Sequence, residues 1–245
     1  MKSKEKVVKP YGRAESKKEE VGRMFDSIAP TYDLLNRGTS LGIDTLWRRK
    51  LIAELDPTLH HKILDVATGT ADVAIQTVKR TGAEHVTGLD LSEGMLEIGR
   101  RKVTKLQLDG RITLLQGDSE ELPFADNSFD AVTVAFGVRN FENLERGLAE
   151  MRRVLRPGGK LVVLEFSRIR FAPLRWAFNF YFGKIMPLIG RLQSNDPRAY
   201  AYLFESVQVF PSGRHFTAIL DRVGYNDTKC KPLTFGVASI YTANG

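Results

Sequence analysis

Cysteine is nearly absent from the chain, since Cys230 is the only one among 245 residues. A single cysteine excludes an intrachain disulfide, and the four histidines form no Cys/His cluster with zinc-ligand spacing. The sequence therefore predicts no metal site. A reducing cytoplasm is the compartment expected for such a chain.

Long apolar runs are also missing. No stretch of about 18 apolar residues occurs, so we expect no transmembrane helix. The first 20 residues are highly charged and lack an apolar core, so we expect no secretory signal there. The composition, 42% apolar and 27% charged, is that of a globular protein, and 245 residues fit one α/β domain with an added segment better than two domains.

Acidic residues are too few to balance the basic ones. The chain has 36 Lys and Arg against 29 Asp and Glu, a formal net charge of +7. Much of the excess falls within residues 1–20 and 168–191. Nucleic acid and an anionic membrane surface both attract such charge, and a solvated tail is an equal alternative for residues 1–20. We predict that residues 1–20 form a flexible basic tail.

Strand and helix patterns alternate along most of the remaining chain. The predicted strands are 62–67, 85–90, 112–118, 129–136 and 160–167. The predicted helices are 19–35, 42–55, 71–81, 92–106 and 143–155. The C-terminal part reads as helix, strand, turn and strand, which suits an antiparallel hairpin at the sheet edge. This order predicts an α/β fold whose parallel sheet is covered on both faces, with ligands bound beyond the carboxyl ends of the strands.

The first predicted strand ends in small residues, in the run LDVATGTAD at 64–72. Gly69 has no Cβ, so a ligand can approach the backbone there. The run contains neither G-x-G-x-x-G nor G-K-[ST], which disfavours a dinucleotide site and a P-loop. Thr70 offers a hydroxyl and a backbone N–H at this position.

Polar residues also end the next two strands. Asp90 follows Thr70 by twenty residues, and a carboxylate there can accept both hydroxyls of a ribose. The alternative is that Asp90 only caps the next helix, because DLSEGM also reads as a helix start. Asp118 and Ser119 end the third strand and offer a polar side chain and an N–H to an adenine edge. These strand ends predict an adenosine bound without a pyrophosphate.

Four longer motifs carry a resemblance to a known family. They are YDLLNRGTSLGIDTLW at 32–47, FGVRN at 136–140, RVLRPGGKLVVLEFS at 153–167 and NDPRAYAYLFESVQVFPSG at 195–213. From about Gly22 to Tyr241 the chain resembles the UbiE/COQ5 family of class I S-adenosylmethionine-dependent methyltransferases, which methylate a ring carbon of quinone precursors.

The resemblance implies an architecture as well. We expect a Rossmann-like, mostly parallel seven-stranded sheet with an antiparallel edge strand. One methyltransferase domain would span 21–245, with an N-terminal helical lid at 21–58 and an aromatic insertion at 168–205. The insertion would form a buried cap, a passage for a polyprenyl tail, or both.

Cofactor contacts follow from the resemblance by position. S-adenosylmethionine is the implied cofactor, and its contacts fall on Thr70, Asp90, Asp118 and Ser119, with no metal. Asp44 stands where the family usually has histidine, and Ala135 stands where some relatives have a serine that contacts the cofactor.

The resemblance places the methyl acceptor near the end of the fourth strand. Arg139 is expected to stabilise a quinolate oxygen, and Asn140 to orient it. The alternative is that Arg139 pairs structurally with an acid such as Glu165. Asp33, in the lid, is a candidate base, and Tyr200 is expected to close over the ring.

The implied reaction is methylation of demethylmenaquinol to menaquinol, the last step of menaquinone synthesis. The ending LTFGVASIYTA favours it over the same chemistry on 2-polyprenyl-6-methoxy-1,4-benzoquinol in ubiquinone synthesis. An RNA-binding or RNA-methylating protein is the alternative from a different class, but no nucleic-acid module is recognisable. The expected partners are a polyprenylated quinol, the inner face of the cell membrane as a peripheral contact, and a second copy of the chain, with no nucleic acid.

Overall fold

A seven-stranded sheet organises the computed structural model, which describes residues 8–40, 42–169, 176, 180 and 196–245. The strands are β1 (Lys62–Val66), β2 (His85–Asp90), β3 (Ile112–Gln116), β4 (Phe129–Ala135), β5 (Leu155–Phe166), β6 (Asn226–Leu233) and β7 (Ala238–Asn244). The helices are α1 (Lys17–Thr39), α2 (Ile43–Ile52), α3 (Asp72–Thr81), α4 (Glu93–Lys105), α5 (Leu144–Val154), α6 (Pro197–Val209) and α7 (Arg214–Val223). Short 3₁₀ turns span Val138–Asn140 and Thr234–Gly236.

The strand order is β3-β2-β1-β4-β5-β7-β6. Strands β1 to β5 run parallel, and β7 is antiparallel to both of its neighbours. The α/β class is confirmed, and the antiparallel strand belongs to the C-terminal hairpin at one edge, with β6 outermost. The chain changes direction across the sheet between β1 and β4, the switch point beside which such sheets bind ligands.

Side chains alternate between two cores, one on each face of the sheet. Ile63 points into the core formed with α2, α3 and α4, whereas Leu64 points into the core formed with α5 and α7. All four residues from Ile63 to Val66 are buried, as expected of a central strand covered on both faces. The sheet is therefore a rigid base for the loops at its carboxyl edge.

The N-terminal segment differs from the predicted flexible tail. Helix α1 begins at Lys17, two residues before the predicted start of the helix, because Ser16 and Glu19 form a capping box. The Glu19 carboxylate accepts from the Ser16 backbone N–H at 2.8 Å, and the Ser16 hydroxyl accepts from the Glu19 N–H at 3.3 Å. The fully buried Glu20 carboxylate accepts backbone N–H groups of residues 11–13, so this stretch is folded against α1.

The aromatic insertion lies largely outside the described residues. Of its members before α6, the structure describes residues 168, 169, 176, 180 and 196. Helix α6 starts at Pro197 with Asp196 as its N-cap, which accepts from the Ala199 N–H at 3.1 Å. Among the helices described, none is long and apolar enough to cross a membrane.

Candidate active site

A cleft of about 680 Å³ opens at the carboxyl edge of the sheet, next to the switch point. Its walls come from α1, from the loops that follow β1, β2, β3 and β4, and from the first turn of α4. The cleft is where the parallel-sheet pattern predicted a ligand.

Asp90 joins two of these loops and faces the cleft. One carboxylate oxygen accepts from the Gly69 N–H at 2.8 Å, and the other accepts from the Ser92 N–H at 2.9 Å. Burial raises the pKa of Asp90, and these backbone N–H groups oppose the rise. The helix cap is Ser92, whose hydroxyl accepts from the Met95 N–H at 3.1 Å. Asp90 therefore does not cap α4 itself, and its carboxylate lies fixed in the cleft wall.

Asp118 and Ser119 lie in the cleft wall after β3, as predicted. One Asp118 oxygen accepts from the Glu120 N–H at 2.8 Å. The other accepts from the ammonium of Lys18, on α1, at 2.9 Å. Helix α1 therefore contacts the end of the cleft at which we expect the adenine.

Two glycines shape the same wall because no Cβ fits there. A Cβ on Gly137 would lie 2.5 Å from the Ala67 Cβ, and one on Gly117 would lie 2.7 Å from Leu89 Cδ1. The backbone of the β3 and β4 loops thus lies against neighbouring strand ends. Together with the Asp90 carboxylate, this wall fits an adenosine-bearing cofactor such as S-adenosylmethionine.

Thr70 is buried in a group that we call the lid cluster: Asp33, Thr70, Asp72 and Lys102. The Thr70 hydroxyl donates to Asp33 at 2.7 Å and accepts from Lys102 at 2.8 Å. The Lys102 ammonium also contacts Asp33 at 2.5 Å and Asp72 at 2.8 Å. The cluster ties α1 to the start of α3 and engages both Asp33 oxygens. A cofactor contact of Thr70 and a catalytic base at Asp33 stay predictions.

Arg139 forms the buried pair that the structural alternative predicted. Its Nη1 donates to Glu165 Oε1 at 2.7 Å and to the Phe136 carbonyl at 2.5 Å, and its Nε donates to the Ser206 hydroxyl at 3.3 Å. The Arg139 and Glu165 side chains are 5% and 0% exposed. Burial raises the pKa of Glu165, and the Arg139 charge opposes this. A direct role of Arg139 at the quinolate stays a prediction.

Asn140 follows Arg139 and lines the cleft. Its Oδ1 is buried, with no hydrogen-bond partner in the part of the chain that the structure describes. Buried amide oxygens are nearly always hydrogen-bonded, so this atom calls for a ligand or a water. The position of Asn140 suits its predicted role of orienting an oxygen of the methyl-accepting substrate. Tyr200 lies on α6, but its side chain is outside the described residues, so its role stays a prediction.

Lys17 is a residue of this site that the sequence did not indicate. Its ammonium donates to the Arg139 carbonyl at 3.1 Å and to the Phe141 carbonyl at 2.7 Å. Burial lowers the pKa of Lys17 to about 8. It fixes the loop after β4 to the first turn of α1. The Ser16–Glu19 capping box was the sequence signal that could have indicated Lys17, since it places this residue on the first turn of a helix.

Asp44, in place of the family's usual histidine, is buried within α2. Its carboxylate accepts from the Ser40 hydroxyl at 2.7 Å and lies 3.6 Å from Arg48 Nε. The acid thus joins the α1–α2 junction through the Ser40 hydrogen bond and pairs with Arg48 within α2. Ala135 does line the cleft. Among the described residues, no group of three His, Cys, Asp or Glu could hold a metal.

Asp65, in the central strand β1, should make the protein's stability depend on pH. It accepts from the Thr68 and Thr133 hydroxyls, both at 2.6 Å, and burial raises its pKa from 3.8 to about 6. Ionisation therefore disfavours the folded state, and this contribution to stability falls as pH rises from about 4 to 6. Asp65→Asn cannot ionise, so it does not lose this stability as pH rises. The difference in unfolding free energy, variant minus wild type, should therefore increase by about 2 kcal/mol from about pH 4.5 to about pH 7.5. Urea unfolding at both pH values measures this, and a pH-independent difference contradicts it.

Comparison with known proteins bears on the chemistry of this cleft. A model of the ubiE/COQ5 methyltransferase family matches residues 13–244. The chain is 46% identical over 236 residues to the demethylmenaquinone methyltransferase of Bacteroides fragilis, covering 96% of each chain. It is 46% identical over 227 residues to the ubiquinone/menaquinone biosynthesis C-methyltransferase UbiE of Geotalea daltonii, covering 92% of this chain and 96% of that one.

Solved structures share the fold. A SAM-dependent methyltransferase from Aquifex aeolicus aligns with a TM-score of 0.58 at 19% identity, covering 80% of this chain and 88% of that one. The [4+2]-cyclase SpnF aligns with a TM-score of 0.62 at 18% identity, covering 95% of this chain and 97% of that one. The cyclase shows that this fold alone does not determine a reaction.

Proposed function

Because the chain belongs to the ubiE/COQ5 methyltransferase family, we propose that it methylates demethylmenaquinol to menaquinol, the last step of menaquinone biosynthesis. The methyl donor is S-adenosylmethionine. The observation that carries the choice of substrate is the 46% identity, over 96% of both chains, to a relative named demethylmenaquinone methyltransferase. Membership of this family also argues against an RNA-binding protein.

The residues around the cleft support a binding mode for the cofactor. Asp90 would accept the ribose hydroxyls, while Asp118 and the Ser119 N–H would contact the adenine. S-adenosylmethionine supplies an electrophilic methyl group on a sulfonium. The protein must hold the acceptor carbon in line with that methyl and exclude water, and orientation alone supplies several kcal/mol.

Residues after β4 would handle the acceptor. A quinol carbon becomes a strong nucleophile when the neighbouring hydroxyl ionises. The Asn140 Oδ1, which has no partner among the described residues, can accept a hydrogen bond from that hydroxyl before it ionises. Arg139, held by Glu165, supplies positive charge nearby. Asp33 and Tyr200 are the proposed groups for proton transfer and for closing over the ring.

The acceptor's redox state gives a direct test of this chemistry. A quinone is electron-poor, so we expect methylation of the reduced demethylmenaquinol to be more than tenfold faster than that of the oxidised quinone. Anaerobic assays with labelled S-adenosylmethionine, with and without a reductant, measure the ratio. Equal rates on both forms would overturn the quinol mechanism.

A second substrate is favoured by one specific observation. Relatives at 44–46% identity are named ubiquinone/menaquinone biosynthesis C-methyltransferase, so reduced 2-polyprenyl-6-methoxy-1,4-benzoquinol is the next candidate. The same assay with both reduced acceptors separates the two. A clear preference for the benzoquinol would replace demethylmenaquinol as the proposed substrate.

The acceptor's polyprenyl tail suggests peripheral contact with the inner face of the cell membrane. Two described members of the aromatic insertion fit such contact. Trp176 and Phe180 are 71% and 51% exposed, and their rings stack with centroids 5.7 Å apart. Exposed paired aromatics beside basic residues suit the headgroup region of a bilayer.

A further inference from the structure

We propose that the turn Thr234–Gly236 is a membrane anchor that inserts the ring of Phe235 into an anionic lipid surface. The proposal deepens the proposed function, because a prenylated acceptor has to be drawn from a bilayer. It assigns a role to a residue outside the cleft and outside the aromatic insertion.

The backbone of this turn is strained around an exposed aromatic ring. Thr234, Phe235 and Gly236 have φ values of 46°, 55° and 88°, all in the left-handed region. A bulky residue rarely adopts this conformation, which costs energy without a compensating interaction. Phe235 is nevertheless 83% exposed, so its ring gains little packing in return. Contact with an apolar phase outside the protein would supply that compensation.

The turn is attached to the edge of the sheet where the cleft opens. It joins β6 to β7 beside the end of β5, and the Ser167 hydroxyl donates to the Gly236 carbonyl at 2.9 Å. The aromatic insertion starts at the next residue. The Phe235 turn and the insertion therefore emerge side by side.

An aromatic group connects the turn to the cleft. The Trp47 indole N–H donates to the Thr234 hydroxyl at 2.8 Å. The Trp47 ring lies 6.2 Å from that of Phe136, which lines the cleft, and 6.1 Å from that of Phe166. A membrane seated on Phe235 would thus lie at the outer end of a path of rings that ends at the active site.

The charge around the turn suits anionic headgroups. Residues 167–169 and 232–237 contain one charged residue, Arg168, and no acid. The Arg168 side chain is exposed. An apolar tip with a basic neighbour is the pattern of an interfacial anchor.

Vesicle binding by the full-length protein tests the anchor. Asparagine tolerates a positive φ, so Phe235→Asn removes the ring and keeps the turn. We expect it to weaken binding to phosphatidylglycerol-containing vesicles roughly tenfold, with an unchanged or higher melting temperature. Phe235→Trp keeps an aromatic ring at this position and should bind the vesicles about as tightly as wild type. Leu59→Asn, at a residue 65% exposed near the opposite edge of the sheet, should bind like wild type.

Three results would overturn the anchor. In the first, wild type fails to bind these vesicles. In the second, Phe235→Asn binds them as tightly as wild type. In the third, Leu59→Asn loses as much vesicle binding as Phe235→Asn. Wild type should bind pure phosphatidylcholine vesicles more weakly than vesicles that contain phosphatidylglycerol. Equal binding to both would overturn the requirement for an anionic surface. The vesicle assay needs no quinol, so it tests the anchor independently of the proposed substrate. If the proposed substrate is wrong, neither wild type nor Phe235→Asn will methylate demethylmenaquinol dispersed in detergent.

Discussion

Replacing Arg139 by methionine should lower the free energy of unfolding by about 3–5 kcal/mol. The change leaves the Glu165 carboxylate, which is 0% exposed, without the guanidinium 2.7 Å away. A buried charge without its partner is one of the most costly defects in a folded protein. Urea unfolding of the variant and wild type at neutral pH measures the loss.

A double variant separates the lost partner from a generally damaged core. Glu165→Gln in the Arg139→Met background removes the unpaired charge, yet its amide oxygen can still accept from the Phe166 N–H, as Glu165 does at 2.9 Å. We expect the double variant to regain about half of the lost stability or more. If it is as unstable as Arg139→Met, the ion pair is not the source of the loss.

The same variants test the proposed catalytic role of Arg139. If its charge stabilises the ionised quinol in the transition state, the refolded double variant should keep its affinity for S-adenosylmethionine and lose kcat. Arg139→Lys should recover part of the rate, because it keeps the charge but not the planar fork. Full kcat in a stable variant without Arg139 would leave it a purely structural residue and shift attention to Asp33 and Tyr200.

Most of the fold was predictable because its signals are local. Short apolar strands alternating with amphipathic helices define a doubly covered parallel sheet, and β2 begins and ends at the predicted residues. Strand β5 instead begins at Leu155, five residues before the prediction, because 155–159 extends the strand through an irregular register with β4. That pairing depends on a distant strand, and the Pro-Gly-Gly in its sequence reads as a turn.

The candidate site was predictable where it depends on strand ends, and less so where it depends on the lid. Asp90 and Asp118 end neighbouring parallel strands, so topology alone brings them to one edge of the sheet. The contact of Asp33 with Thr70 joins residues 37 positions apart through the docking of α1, which no local pattern encodes. Lys17 was missed for the same reason, since its partners are carbonyls more than 120 residues away.

The remaining large effect concerns the cofactor. Asp90→Ala should weaken binding of S-adenosylmethionine roughly tenfold to hundredfold, because hydrogen bonds from the ribose hydroxyls to a carboxylate contribute about 1.5–3 kcal/mol. Calorimetric titration of the folded variant measures this. Since Asp90 also accepts the Gly69 and Ser92 N–H groups, part of the loss could come from the loops it joins.

Ser92→Ala is the matched control for that indirect effect. It removes the cap of α4 and the hydrogen bond to Asp26, 2.6 Å from the Ser92 hydroxyl, and leaves the Asp90 carboxylate in place. It should lower stability by about 1 kcal/mol and change cofactor affinity much less than Asp90→Ala. Asp90→Asn keeps one acceptor oxygen for the loops and loses the charge, so it should bind the cofactor with intermediate affinity. Unchanged affinity in folded Asp90→Ala, or an equal loss in Ser92→Ala, would mean that Asp90 holds the loops and does not bind the ribose.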